Sequence, residues 1–319
     1  MIKHERKYKM FNKIIQAIEK YDRIIIHRHS NPDGDAIGSQ VGLKHILKIN
    51  YPNKEIYTVG DSSKRYGFIE DSATDTIPDE YYKGALAFVL DTSATALISD
   101  DRYKTADLII KMDHHIFCEE FADIEMIDTS FESCCGLIGM FAMKTGLKLD
   151  SVGAKALYTG MITDSGRFRY DSTSAQTFDV ASFLMEHKFT TNDIYSNLYT
   201  DELSSVQLRA KFLLKITKTE HPVAYIYSTL DEVKSYNADI FTISRGMVNT
   251  MSDIRGIDIW ANFTETENGV LCELRSSKYN INPIAVKYGG GGHAKASGAT
   301  IKDREAAMEM LNDLISLTK

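Results

Sequence analysis

Aspartates and histidines gather directly behind short apolar runs in the first half of the chain. His29-Ser30-Asn31-Pro32-Asp33-Gly34-Asp35 follows Ile24-Ile25-Ile26, and Asp91 follows Phe88-Val89-Leu90. Asp113-His114-His115 follows Leu108-Ile109-Ile110-Lys111-Met112, and Asp164 follows Met161-Ile162-Thr163. A single aspartate in such a place is ordinarily a turn former or a helix cap, and Asp35 alone reads as a cap. The joint occurrence points elsewhere. If the apolar runs are neighbouring strands of an open parallel sheet, their carboxyl ends border one crevice. Asp33, Asp35, Asp91 and Asp164 would then meet, and that much negative charge within a few ångströms is untenable without compensation. Two divalent cations supply it. Mixed imidazole and carboxylate donors suit manganese, iron, cobalt or zinc better than calcium. A pair of such ions about 3.5–4 Å apart is a clamp for in-line displacement at phosphorus.

The elements that must position these residues follow from the pattern. Residues 23–28 carry isoleucine on both faces, as a buried strand does. Strand patterns recur at 55–59, 86–90, 108–112 and 124–127, with helical spacing at 35–49, 132–144 and 151–162. This alternation predicts an α/β fold with a doubly wound, mainly parallel sheet. The first domain is expected over residues 1–186 and a polar, partly helical linker over 187–210. A smaller α/β domain follows over 211–319, closed by a helix behind an N-cap at Asp303. His45, His187 and His221 lack catalytic company and read as structural; His27 lies inside the first strand, its side chain opposite to that of Arg28.

Composition narrows the function. The 319 residues are 43 % hydrophobic and 25 % charged with net charge −7, which excludes disorder and argues against a broad basic face for duplex nucleic acid. No apolar run is long enough to span a bilayer, and the basic N-terminus breaks at Gln16, Glu19 and Lys20 where an export signal would need apolar residues. Cys118, Cys134, Cys135 and Cys272 form no C-x-x-C pair and read as free thiols. The expected compartment is the cytoplasm.

These residues resemble the DHH phosphoesterase superfamily, named for the triplet found here at Asp113-His114-His115. His29 to Ser39, Asp91-Thr92-Ser93 and Asp164-Ser165-Gly166-Arg167-Phe168-Arg169-Tyr170 are similar to its first, second and fourth motifs. Gly289-Gly290-Gly291-Gly292-His293, followed by Ala296-Ser297-Gly298-Ala299, resembles the glycine-rich signature of the DHH-associated domain. A chain of this length with both domains is similar to the nano-RNase and phosphoadenosine-phosphate phosphatase group of that family. The resemblance implies two metal ions, manganese above all, in a cleft between the domains. His29, Asp33 and Asp91 would hold one; Asp35, Asp91, His114 and Asp164 the other. His115 would face the substrate phosphate or leaving oxygen, and Asp113 would fix a ring by accepting its second N–H. Many members have Asp where this chain has Arg28, so the surroundings of His29 are expected to differ.

The implied activity is hydrolysis of short oligoribonucleotides, linear diadenylate or 3′-phosphoadenosine 5′-phosphate, releasing nucleoside 5′-monophosphates. The implied partners are short single-stranded RNA or nucleotides, with no membrane, no stable duplex binding, and a homodimer as one assembly. In the second domain the glycine run would cradle an anion through its N–H groups. Arg275, next to Ser276, would grip a phosphate, and Gly290, Gly291, Gly292 and His293 complete the expected substrate site; Arg245 is a further contact or a solvated arginine. An inorganic pyrophosphatase shares the first domain but not the glycine-rich signature, and a RecJ-like exonuclease carries an additional nucleic-acid-binding module. A non-enzymatic nucleotide-binding module is disfavoured because no implied ligand is missing.

Overall fold

The computed structural model describes residues 2–319, with side chains from residue 9 onward. Met1 and the side chains of residues 2–8, on which the reading of a basic N-terminus partly rests, lie outside the described residues. The chain divides into two units, Met1–Tyr199 and Thr200–Lys319.

The first unit runs α1 (Ile2–Lys20), β1 (Arg23–His27), α2 (Gly34–Asn50), β2 (Glu55–Thr58), β3 (Ala85–Leu90), β4 (Leu108–Asp113), β5 (Ile124–Ile127), α3 (Cys134–Thr145), α4 (Ser151–Asp164), α5 (Ala175–Met185) and α6 (Thr191–Tyr199). Its five strands form a wholly parallel sheet in the order β2-β1-β3-β4-β5. Both faces of β1 are covered, as its isoleucines require. Ile24 and Ile26 pack with Leu86, Phe88 and Ile110, while Ile25 packs on the other side with Val59, Ile77 and Tyr82. The chain leaves β1 for one neighbour and returns to its other side at β3, so the order reverses between these strands. Ligand crevices form at such a switch point, and the segments carrying His29 to Asp35 and Asp91 emerge there.

Helix α2 lies against α4 through backbone. A methyl group on Gly38 would stand 2.5 Å from the Ala156 carbonyl oxygen, and one on Gly34 the same distance from Thr163 Oγ1. This close crossing holds Asp35, in the first turn of α2, near Asp164 at the end of α4. Asp164 therefore closes a helix rather than a strand, a correction to the expected strand-end position. Its apolar run, Met161 and Ile162, is buried as one helix face. Nor is Asp35 a cap: Asp33 holds that position, its Oδ1 accepting from the N–H groups of Asp35 and Ala36 at 3.0 Å.

The second unit runs α7 (Leu203–Leu214), β6 (Thr217–Lys218), β7 (Val223–Ser228), α8 (Leu230–Ser235), β8 (Ile259–Thr266), β9 (Gly269–Ser276), α9 (Asn282–Lys287), β10 (Gly291–His293), β11 (Ala296–Ile301) and α10 (Arg304–Ser316). Six strands make a mixed sheet in the order β10-β11-β9-β8-β7-β6, parallel only between β7 and β8. One face buries Ile259, Phe263, Cys272 and Leu274 against Met310 and Leu314 of α10, which Asp303 caps as its type predicts. The other buries Ala224, Ile226 and Trp260 against Leu208 and Phe212 of α7. The polar stretch 187–210 contains α6, anchored by buried Ile194 in the first unit, and the start of α7, anchored by Leu208 in the second.

His27 is fully buried between Tyr82 and Tyr103, with ring centroids 5.6 and 6.0 Å away. Burial outweighs the attraction of Asp100 and pushes its pKa down from 6.5 to about 4. As pH falls through that window the unfolded chain takes up a proton that the folded chain refuses, so stability falls with pH. The loss between pH 7 and pH 5 is about 2 kcal/mol. His27→Leu is expected to flatten this dependence, measured as the difference in Tm between the two pH values; an unchanged difference contradicts the neutral buried ring.

Candidate metal centre

Three strand ends and one helix end bring the predicted residues together. The His29 ring Nδ1–H donates to the Ser30 carbonyl at 2.8 Å, which leaves Nε2 as the free donor atom. The His114 Nδ1–H points at the Phe131 carbonyl at 3.4 Å with the same result. His29 Nε2 lies 3.8 Å from Asp33 Oδ1 and 3.5 Å from Asp91 Oδ2. His114 Nε2 lies 3.7 Å from Asp35 Oδ2, 3.5 Å from Asp91 Oδ1 and 3.3 Å from Asp164 Oδ2. Asp91 thus turns one oxygen to each imidazole. It does so from a left-handed backbone, φ 52°, a conformation non-glycine residues adopt at a cost and that clusters at functional positions.

Donor atoms of His29, Asp33 and Asp91 lie within 4.8 Å of one another, as do those of Asp35, His114 and Asp164. Asp91, His114 and His115 form a third such group, so His115 also stands within ligand reach.

The electrostatics show what the cluster requires. Burial together with the charges of Asp91 and Asp164 raises the Asp35 pKa well above the ordinary carboxylate value. Burial likewise pushes Asp164 up to about 6, against the pull of His114. Burial lowers the affinity of His29 for a proton, but Asp33 and Asp91 outweigh it and drive its pKa up to about 10. Asp91 Oδ1 is buried without a hydrogen-bond partner. Mutually repelling carboxylates, imidazoles presenting free Nε2 atoms, and an orphaned oxygen between them together fit divalent cations.

Supports that no local pattern announces complete the centre. Asp35 is 1 % exposed, and its two oxygens accept from the backbone N–H groups of Cys134 and Cys135 at 2.7 and 2.8 Å. The first turn of α3, whose positive dipole end favours an anion, thereby fixes the carboxylate. Asp113 Oδ1 accepts from His115 Nδ1 at 2.7 Å, so the ring that Asp113 orients is that of His115. This hydrogen bond raises the His115 pKa despite partial burial. Lys111, fully buried, donates to the Ser93 carbonyl at 3.2 Å and stands 3.8 Å from Asp113 Oδ2. A lysine within the otherwise apolar run Leu108–Met112 was the visible signal for this second support. Arg28 is buried and donates through Nε to Gln40 Oε1 at 3.0 Å, through Nη1 to the His29 carbonyl at 3.3 Å, and through Nη2 to the Asp61 carbonyl. It braces the backbone of His29 and leaves the ring's own partner unchanged.

In the second unit two parts of the expected substrate site have partners within the chain. Ser276 donates to the Asp258 carbonyl and accepts from the N–H groups of Lys278 and Tyr279. Its hydroxyl is engaged in holding the turn after β9. Part of the glycine run is taken up by backbone pairing. The N–H groups of Gly289 and Gly290 return to the carbonyls of Val286 and Ala285, and Gly291–His293 pairs with β11. Gly290 is needed for packing, since a methyl group there would meet Ala299 at 2.6 Å. What remains is a cavity of about 270 Å³ bordered by Arg245, Arg275, Gly291, Gly292 and Ser297. Arg275 Nη1 sits 3.1 Å from Glu273 Oε2, and His293 is exposed on β10.

Comparison with known proteins identifies the family of both units. Residues 23–161 match the model of the DHH family, N-terminal domain, and residues 224–319 that of the DHHA1 domain. A Bacillus subtilis protein named bifunctional oligoribonuclease and PAP phosphatase NrnA is 34 % identical, over 97 % of this chain and 99 % of its own. A Mycoplasma genitalium protein of the same name is 32 % identical over 94 % of this chain and 95 % of its own. Among solved structures, an exopolyphosphatase-related protein from Bacteroides fragilis superposes with a TM-score of 0.78 at 26 % identity, covering 97 % of this chain and 96 % of that one.

The centre predicts a distinctive pair of effects for Asp91→Asn, a substitution that keeps shape and tolerates the left-handed backbone. Without metal the change removes repulsion of Asp35 together with attraction to the His29 and His114 rings, so the variant is expected to fold with a Tm close to the parent's. Added manganese, which should raise the parent's Tm, should no longer do so. Wild-type manganese uptake by the variant, followed by calorimetry, contradicts the bridging role.

Proposed function

The chain belongs to the DHH family of metal-dependent phosphoesterases, and from that premise we propose that it hydrolyses short oligoribonucleotides to nucleoside 5′-monophosphates and 3′-phosphoadenosine 5′-phosphate to AMP. The observation that carries this reading is the Asp91 carboxylate, with one oxygen 3.5 Å from each of two imidazoles that belong to separate donor groups. Full-length relatives whose names give both activities support the substrate classes. His29, Asp33 and Asp91 would hold one cation; Asp35, Asp91, His114 and Asp164 the other, manganese suiting this donor set. When bound, two such ions supply charge that polarises a phosphoryl oxygen and acidify water enough to make a nucleophile near neutral pH.

The chain's own residues do the rest. His115 lines the cavity beside Asp91 and Asp164 and is 47 % exposed as a side chain. With Nδ1 held by Asp113, its Nε2 is the atom that can give a proton to the departing ribose oxygen. The raised affinity of this ring for protons keeps the donor loaded. Lys111, braced against Ser93 and Asp113, holds this pair and the Asp91 loop in register. In the second unit Arg275 and Arg245 offer guanidinium groups to a phosphate, with Arg275 exchanging Glu273 for it. Among the described residues no helix is long and apolar enough to cross a membrane. The four cysteines are free, which suits the cytoplasm that we assign as the working compartment.

A manganese-supplemented assay comparing linear diadenylate, a pentaribonucleotide, 3′-phosphoadenosine 5′-phosphate and pyrophosphate tests this reading. Turnover of at least one of the first three, with little on pyrophosphate, is expected; inertness toward all three removes the hydrolase assignment. His115→Asn is expected to lower kcat on the pentaribonucleotide by roughly 10²–10⁴. It should have a much smaller effect on a p-nitrophenyl nucleotide ester, whose leaving group needs no proton. Equal losses on the two substrates would show that His115 is not the proton donor. Arg275→Ala should raise KM while leaving kcat nearly unchanged, and the reverse split would assign it to the chemical step.

A further inference from the structure

Behind Asp164 the chain makes a turn that the proposed chemistry does not use. Gly166, Arg167 and Phe168 are all left-handed, with φ of 57°, 64° and 62°. The turn is held by N–H groups returning from Arg167 to the Ile162 carbonyl and from Phe168 to Ser165 Oγ. A methyl group on Gly166 would enter the Tyr170 ring at 2.5 Å, so the close approach demands glycine. Phe168 packs against Tyr158 and Phe178, while Arg167 and Arg169 on either side of it are exposed. Two non-glycine residues in succession in this region are maintained only where surrounding contacts impose it, and such backbone concentrates at ligand sites.

The turn forms one wall of a cavity of about 210 Å³ whose other lining includes Arg65, Tyr66 and Tyr199. The Arg167 guanidinium lies 4.6 Å from the Tyr199 ring centroid, and that of Arg65 lies 5.5 Å from that of Tyr66. Arg169 donates only to the Gly166 carbonyl, at 3.1 Å. Elsewhere Arg102, Arg209 and Arg275 each hold a carboxylate; among the described residues no carboxylate forms an ion pair with Arg65, Arg167 or Arg169. Three guanidinium groups without counter-ions, in a chain of net charge −7, stand together beside aromatic rings. The cavity wall is built from residues adjacent in the chain to those of the metal centre. Thr163 and Gly166 in its wall flank Asp164, and Tyr66 packs on Ile37, one turn along α2 from Asp33.

We propose that this cavity binds a second, non-reacting nucleotide of an oligoribonucleotide, its phosphate on the arginines and its base on the tyrosine rings. Guanidinium groups recognise phosphate through paired N–H donors, and stacking on tyrosine accepts any base. The inference rests on the hydrolase reading above and adds to it a feature that separates the two substrate classes. An oligoribonucleotide has a further nucleotide to place here; 3′-phosphoadenosine 5′-phosphate has none.

The test uses the full chain and its Arg167→Ala/Arg169→Ala variant. Arg65→Ala serves as a second variant that removes no contact within the left-handed turn. KM is measured for a pentaribonucleotide and for 3′-phosphoadenosine 5′-phosphate. Kd for a fluorescent pentaribonucleotide is measured with calcium, under conditions where the probe is seen to stay whole. Both variants are expected to raise KM and Kd for the pentaribonucleotide roughly tenfold. Losing the contact to this one phosphate should lower the salt slope of binding by about 0.7. Hydrolysis of 3′-phosphoadenosine 5′-phosphate should hold. Unchanged pentaribonucleotide binding in folded variants, equal losses on both substrates, or no binding by the parent chain overturns the proposal. A parent chain that binds the pentaribonucleotide through these arginines but cleaves nothing leaves the cavity in place and removes the hydrolase reading instead.

Discussion

Carboxylates repel one another, and the first unit is built so that Asp33, Asp35, Asp91 and Asp164 cannot separate. Each is held by a different device. Asp33 is the cap of α2, Asp35 is clasped by the first N–H groups of α3, Asp91 sits on a left-handed turn after the central strand β3, and Asp164 ends a helix pressed backbone-to-backbone on α2. None of these restraints comes from the aspartates' affinity for each other. The fold stores an unfavourable electrostatic arrangement, and the stored repulsion becomes attraction toward small, highly charged cations. Burial strengthens both the repulsion and the attraction, because little water is present to screen either.

A second line of groups runs through the same place with the opposite sign. Lys111, Asp113 and His115 form a short row from the interior of the sheet to the mouth of the crevice. A fully buried ammonium is tolerable only because a carbonyl and a carboxylate face it. The row gives one histidine of the adjacent pair an orientation and a basicity distinct from its neighbour. His114 reaches inward to carboxylates, whereas His115 is tethered to Asp113 and opens outward. Two identical side chains in succession are therefore presented differently, separated by which acceptor each Nδ1–H finds.

Much of this was legible in the sequence, where local chemistry suffices. The isoleucines of β1 announced a strand covered on both faces, and the aspartates and histidines behind successive apolar runs announced their own convergence. What was not legible depends on distant partners. The spacing over 151–162 indicated a helix, yet Asp164 behind it was grouped with the strand ends because Met161 and Ile162 are apolar like the runs before Asp91 and Asp113. That Asp35 is gripped by Cys134 and Cys135 could not be read from residues a hundred positions apart. In the second unit, the motif Gly289–His293 was expected to present its N–H groups to an anion, with no sign of which of them the sheet would use. Backbone pairing with β11 decided which, and the same kind of backbone demand claimed the hydroxyl of Ser276.

The crossing of α2 and α4 has a consequence for engineering. Where helices meet through large side chains, a rotamer change absorbs a small shift and leaves the main chain in place. Here Gly38 faces the Ala156 carbonyl oxygen, main chain that no rotamer change can move, so one added carbon must be met by moving a whole helix. Such a movement would carry Asp35 and Asp164 apart together. Retuning the enzyme toward an ion of different radius is therefore a matter of redesigning two helical backbones as one rigid part, with the coordinating side chains left as they are.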